Sequence, residues 1–153
     1  MTFQVAVCGP ADCTPAEYDR AREVGELLAA RGITVICGGG SGVMAAVAAG
    51  VRSGGGVVIG IRPGADRDGA SADLTAVVAT DMGEARNAIV VQSADAVIAV
   101  GGSWGTLSEV ALAMRRGIPV VALGGWRVTG PDGTPIDGIR SVSTPAEAVD
   151  ALR

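Results

Sequence analysis

The chain of 153 residues contains no histidine and no lysine; all twelve basic residues are arginine. Without His, the Ser-His-Asp and Cys-His constellations and His-ligated metal sites are excluded. Without Lys there is no phosphate-loop lysine. The three cysteines, Cys8, Cys13 and Cys37, show no CxxC spacing. They make neither a disulfide framework nor a zinc site, and no metal is expected. Aromatic residues are limited to Phe3, Tyr18, Trp104 and Trp126. The core must therefore come from Val, Ala, Ile and Leu, with helices packed closely on a sheet. No apolar run reaches the roughly 20 residues of a membrane helix, so no membrane partner is expected. The first residues, MTFQVAVCGPAD, have no basic stretch and read as a strand, which predicts a cytoplasmic protein. Net charge is −4 and the arginines are scattered, the longest run being Arg115-Arg116. That argues against a nucleic-acid partner. Any chemistry is left to carboxylates, Arg, hydroxyls and backbone amides.

What is present is a regular alternation. Apolar strands are predicted at 3–9, 33–40, 56–61, 74–80, 95–102, 118–125 and 139–143. Helices are predicted at 14–31, 43–55, 83–94, 106–117 and from Thr144 onward. The first helix has Thr14 as cap, Pro15 at its first position and Glu17 closing a capping box. Its apolar stripe runs through Tyr18, Ala21, Val24, Leu27 and Leu28. Residues 62–73 read as a loop, and 126–138, with turn signals such as Asp132-Gly133, as an excursion or hairpin. Strands such as VVIGI and AVIAV, apolar nearly throughout, fit burial on both faces. The expected fold is one α/β domain over 1–153. It is a Rossmann-like, doubly wound, mostly parallel sheet of about six to seven strands with helices on both faces.

Ligands of such sheets lie beyond the carboxyl ends of the strands, at a switch point in strand order. Three strands here end in glycine: VAVCGP closes on Gly9, VICGGGSGVM carries Gly38, Gly39, Gly40, Ser41, Gly42 and Met44, and VIAVGGSWGT carries Gly101, Gly102, Ser103, Trp104, Gly105 and Thr106. The last two run directly into helices, whose first amides and positive dipole end suit an anion. One such turn is weak evidence and reads equally well as tight packing. Two at neighbouring strand ends suggest one site, with a phosphate or another small anion as occupant. No acidic residue ends the third strand, where Ile61-Arg62 stands, so a dinucleotide dehydrogenase is disfavoured.

Thr106-x-x-Glu109 follows the third glycine turn, and the chain writes Thr-x-x-Glu twice more, as TPAE at 14–17 and 144–147. Those two are capping boxes by composition. At 106–109 two readings stay open: a third cap, or a carboxylate that meets a ligand. Arg86, in GEARN, opens a helix against the dipole and reads either as a solvated side chain or as a ligand contact. Cys8 and Cys37 end neighbouring strands, which places them near a ligand there, but they read first as small buried apolar residues.

The set GGGSGVM, Arg86 and DAVIAVGGSWGTLSE resembles the LOG-like, DprA-related Rossmann superfamily over residues 3–123. That superfamily includes cytokinin phosphoribohydrolases once labelled lysine decarboxylases, and molybdenum cofactor carrier proteins. Its PGGxGTxxE motif aligns onto Gly101, Gly102, Ser103, Trp104, Gly105, Thr106 and Glu109, with Pro replaced by Gly101 and the second Gly by Ser103. The Arg-Lys pair of the phosphoribohydrolases matches Arg86-Asn87, so the Lys is lost. The resemblance implies a bound phosphorylated small molecule: a nucleotide monophosphate, phosphate, or the molybdenum cofactor. It requires no cofactor for catalysis. Its alternative is N-glycosidic hydrolysis of a nucleoside 5′-monophosphate, with Arg86 and Glu109 catalytic. Arg86 would bind phosphate or pair with Glu109, Asn87 would assist it, and Trp104 would stack on a base or pterin or fill a dimer contact. A homodimer through the helices at 83–94 and 106–117 is expected.

Overall fold

The computed structural model describes residues 1–152. Seven strands lie in one sheet: β1 (Gln4–Cys8), β2 (Thr34–Cys37), β3 (Val58–Arg62), β4 (Ala76–Ala79), β5 (Ala96–Val100), β6 (Val120–Leu123) and β7 (Ile139–Val142). Their order is β4-β3-β2-β1-β5-β6-β7, and every pairing is parallel. The chain builds outward from β1 to β4, then returns to place β5 on the other side of β1. The switch point therefore lies between the carboxyl ends of β1 and β5.

The helices are α1 (Pro15–Ala30), α2 (Val43–Ser53), α3 (Arg86–Gln92), α4 (Trp104–Arg115) and α5 (Pro145–Asp150). α1 packs on α2 and α5 over one face of the sheet, burying Val24, Leu28, Val47 and Val149 against Val5, Val7 and Ile98. α3 and α4 cover the other face with Val90, Val91 and Ala113 on Ala6, Val97 and Val120. Among the described residues no helix is long and apolar enough to cross a membrane.

Several expectations shift in detail. The sheet is wholly rather than mostly parallel. Strand β4 lies at an edge and is largely exposed, because its outer face has no helix to cover it. The predicted helix at 83–94 is a 3-10 turn at Gly83–Ala85 followed by the shorter α3. Tyr18 is 38% exposed and leaves the apolar stripe of α1, whose buried face is Ala21, Val24, Gly25 and Leu28. The 126–138 excursion holds one antiparallel bridge, Thr129 to Pro135.

The small-residue composition is used where α1 crosses α2. A Cβ on Gly50 would run into the carbonyl of Arg22, and one on Gly25 into the carbonyl of Val47. The two helices touch backbone to backbone, so neither position has room for a methyl group. In an isolated helix Gly→Ala gains up to about 1 kcal/mol. Here Gly50→Ala should reverse that sign and destabilise by about 1–3 kcal/mol, the usual penalty for overpacking. Urea denaturation of the two proteins measures the difference; a stabilised variant would show that the crossing is loose.

Candidate functional site

Helix α4 begins two residues before its predicted start. Its N-cap is Ser103, whose hydroxyl accepts the amide of Thr106 at 3.2 Å. Thr106 is therefore the third helical residue and not a cap, and Glu109 lies a full turn inside the helix. The capping reading of Thr106-x-x-Glu109 is overturned. At the TPAE sequences the device is real. Thr14 and Glu17 form a complete capping box. Thr144 accepts the Glu147 amide, while the Glu147 carboxylate takes the amide of Ser143 instead.

The Ser103 cap sets what the start of α4 offers. Thr106 N–H is spent on the cap and Leu107 N–H on the Ser103 carbonyl. Among the described residues the amides of Trp104 and Gly105 have no hydrogen-bond acceptor. They are the two donors left at the positive end of the helix dipole.

Beside this helix start, at the switch point, lies a cavity of about 160 Å³. The β1 end contributes Cys8 and Gly9, the β2 end Gly38, and α2 Met44. Arg86 and Asn87 come from α3, and Ser103, Gly105, Thr106 and Glu109 from the α4 side. Val7 and Ala11 complete the wall. Nine of the sequence-predicted site residues are thus brought together.

The others stand nearby in different surroundings. Gly39 lies over Arg62, which donates to its carbonyl at 3.1 Å. Gly40 gives its amide to the Met44 sulfur at 3.4 Å, so Met44 braces the first glycine turn from below. Ser41 bonds the Ala11 carbonyl. Gly42, at φ 64°, caps α2 with no side chain and abuts the carbonyls of Pro10 and Ala11. Gly101 faces the Glu17 carboxylate and Gly102 the ring of Trp126. Trp104 is 76% exposed, tilted against Trp126 with ring centroids 4.9 Å apart. It borders an open groove of about 780 Å³ that shares Arg86, Asn87 and Gly105 with the cavity.

Arg86 is fixed by backbone carbonyls. Its Nε donates to Ile61 O at 3.0 Å and its Nη2 to Gly38 O at 3.5 Å, while Nη1 meets Asn87 Oδ1. Asn87 passes its own amide to Ser108 Oγ at 3.1 Å. The predicted assistance of Arg86 by Asn87 is present. The predicted pairing of Arg86 with Glu109 is not: among the described residues the ion pairs are Arg22–Glu26 and Arg31–Asp150. Three donors of Arg86 serve to hold it, and two N–H groups remain of the five it carries.

Glu109 is 8% exposed and has no cation in contact. Burial pushes its carboxyl up to about 7, an effect partly offset by the Cys8 thiol hydrogen bond and the field of Arg86. Cys8 is driven well above the ordinary thiol range, first by burial and then by Glu109. Burial raises Cys37 to about 11. Both thiols stay protonated at neutral pH, which removes a cysteine nucleophile. Cys37 does not line the cavity. Cys8 does, as a neighbour of Glu109, so of the two strand-end cysteines one stands at the cavity. Arg62, which the sequence marks only as the non-acidic end of the third strand, has a structural role. It ties the Gly39 carbonyl to that of Asp68, fixing the first glycine turn.

The raised Glu109 value has a stability consequence. A carboxyl whose folded pKa lies above its unfolded value binds its proton more tightly when folded. Its contribution is fully present below about 4.5 and is lost as pH rises through about 7. A gap from 4.5 to about 7 corresponds to about 3 kcal/mol. Glu109→Gln should therefore match the parent protein at pH 4.5 and melt several degrees higher at pH 8.5. Equal melting differences at both pH values would mean that Glu109 titrates normally.

The whole length of the fold has known counterparts. The SLOG cluster4 family matches residues 2–148. An uncharacterized protein of Archaeoglobus fulgidus is 43% identical over 97% of this chain and 93% of its own. The cytokinin riboside 5′-monophosphate phosphoribohydrolase of Mycobacterium tuberculosis is 36% identical over 81% of this chain and 72% of its own. The chain spans less than half the length of the rice phosphoribohydrolases it matches. The molybdenum cofactor binding protein of Rippkaea orientalis superposes with a TM-score of 0.92 at 31% identity, covering 99% of this chain and 96% of its own. Across nearly its full length, the chain belongs to the SLOG cluster4 family of LOG-like proteins.

Proposed function

We propose that this protein binds a phosphorylated small molecule at the β1–β5 switch point. The observation that carries the reading is that Arg86, with two unspent N–H groups, and Gly105, with an unspent amide, line one cavity at the start of α4. A phosphate there receives backbone and charge-assisted hydrogen bonds together. The 160 Å³ cavity is too small for a whole nucleotide or pterin, since ligand sites run to about 300–1,000 Å³. The phosphate and its ester carbon fill it, and the ring system extends into the groove beside Trp104, whose exposed face offers stacking. The groove is open and the site has no metal-binding role in this reading. Similarity to the Rippkaea protein supports a pterin of the molybdenum cofactor type as the ligand class.

A second reading is favoured by Glu109. A carboxylate buried at the cavity wall, unpaired and titrating near 7, is the group that hydrolysis of a nucleoside 5′-monophosphate would use. Ionised, it would stabilise positive charge on the ribose carbon and orient the attacking water. The water oxygen would bond the ribose carbon as the base leaves with the C–N bonding pair and takes up the proton that water sheds, giving free base and ribose 5-phosphate. This activity should rise with pH through about 7 as Glu109 ionises. A homodimer through α3 and α4 would close over this same groove, which Glu84, Leu112 and Arg115 also line.

Calorimetric titration with AMP should show binding that falls at least tenfold in Arg86→Gln, with mass spectrometry identifying any ligand that co-purifies. Retention of full affinity in that variant would refute the site. Free base released from AMP or prenylated AMP by the parent protein, and lost in Glu109→Ala, would establish the hydrolase. Binding without release leaves a carrier. Light scattering at the monomer mass would reject the dimer.

A further inference from the structure

A second concavity, of about 350 Å³, opens at the carboxyl ends of β6 and β7. Arg20 reaches it from α1, Gly124, Gly125 and Arg127 from the segment after β6, and Ser141 and Ser143 from the β7 end. No carboxylate lines it among the described residues. Arg20 and Arg127 take part in neither ion pair of the described residues. Two acids of the adjoining helices are already engaged: Glu17 accepts the Thr14 amide at 2.9 Å and Glu147 the Ser143 amide at 3.3 Å. Arg20 and Arg127, on different elements, thus line one concavity whose wall, among the described residues, holds no carboxylate.

The backbone points the same way. Gly124 and Gly125 take φ of 73° and 77°, which turns the chain sharply out of β6. Among the described residues the amides of Gly125, Trp126 and Arg127 have no hydrogen-bond acceptor. Arg20 lies across the turn: a Cβ on Gly124 would stand 3.7 Å from its Nη1. The concavity is therefore lined by two arginines, two serines and a turn with free amides. That set complements a tetrahedral oxyanion.

We infer that this concavity is a second anion subsite, for a phosphate group, separate from the start of α4. The Gly101–Ser103 turn stands between the two sites. Trp126 lines the second site and donates its indole N–H to the Ser103 carbonyl at 2.7 Å. An anion there lies one side chain away from the cap of α4.

The test is a titration of ¹⁵N-labelled protein with inorganic phosphate and, separately, with AMP. Inorganic phosphate should move the amide signals of Gly124 and Gly125 and the Trp126 indole. Those shifts should persist in Arg86→Gln, and the affinity they report should fall at least tenfold in the double variant Arg20→Gln, Arg127→Gln. Both arginines are exposed, so the double variant should keep the parent spectrum elsewhere. If AMP moves the same signals at lower concentration, the site takes the phosphate of a larger molecule; if inorganic phosphate alone does, it takes the free ion. Shifts confined to the first glycine turn and Trp104–Thr106, or unchanged affinity in the double variant, would overturn the inference. Arg86→Gln separates this result from failure of the first site.

Discussion

The architecture depends on backbone segments meeting with no side chain between them. A Cβ on Gly9 would stand 2.5 Å from Val100 O and from Val43. Gly42 abuts Pro10 and Ala11, and Gly125 abuts Gly101. The turns leaving β1, β2, β5 and β6 are therefore nested against one another. This nesting draws the carboxyl edge of the sheet into a tight rim and places the α4 N-terminus beside the β1 end. The same economy brings α1 onto α2 at Gly25 and Gly50. A chain with four aromatic residues reaches close packing by letting elements approach rather than by filling gaps between them. The cavity is what remains where nesting is incomplete, at the switch point itself.

Within that rim, Glu109 is a feature that packing does not explain. It sits inside α4, almost wholly buried, with Cys8 as neighbour and no cation in contact. A Gln or Leu would cost the fold less at neutral pH, because desolvating a carboxylate without a partner is unfavourable. Strain of this kind concentrates at functional sites. Arg86 shows the complementary pattern. It spends three donors on fixed partners, two of them carbonyls at the β2 and β3 ends, which holds the rest of the guanidinium in one place. A clamped cation and an unpaired carboxylate on one small cavity are separated rather than neutralised, so each keeps its field for a ligand.

Much of this was legible in the residue order. The alternation of apolar strands with helices predicted the parallel sheet, because both faces of such strands must be covered. Arg86, Asn87 and Glu109 could be picked out by type and place. The glycines were harder. Their composition signals close approach, but not whether the approaching group is a ligand or another stretch of backbone. Gly42, Gly101 and Gly102 turn out to face protein. The start of α4 was misread because Thr106 and Ser103 are both good caps. Gly105 between them looked like turn, and the Trp104-Gly105 pair enters the helix against its propensity. The role of Arg62 is not legible in the sequence, since its acceptors, Gly39 O and Asp68 O, are brought to it only by the tertiary fold.

The absence of Lys and His gains meaning in this light. A lysine brings a mobile point charge, whereas an arginine can be pinned by carbonyls and still present free donors. Arg86 is used in that way, and Arg20 and Arg127 line the concavity at the Gly124-Gly125 turn. With no imidazole anywhere, the group that changes charge near neutral pH inside the cavity is Glu109, and it does so because it is buried. In the proposed reading, proton sensitivity and anion binding have one origin. The nested turns exclude water from the carboxylate, and the same turns aim unspent amides into the space they leave.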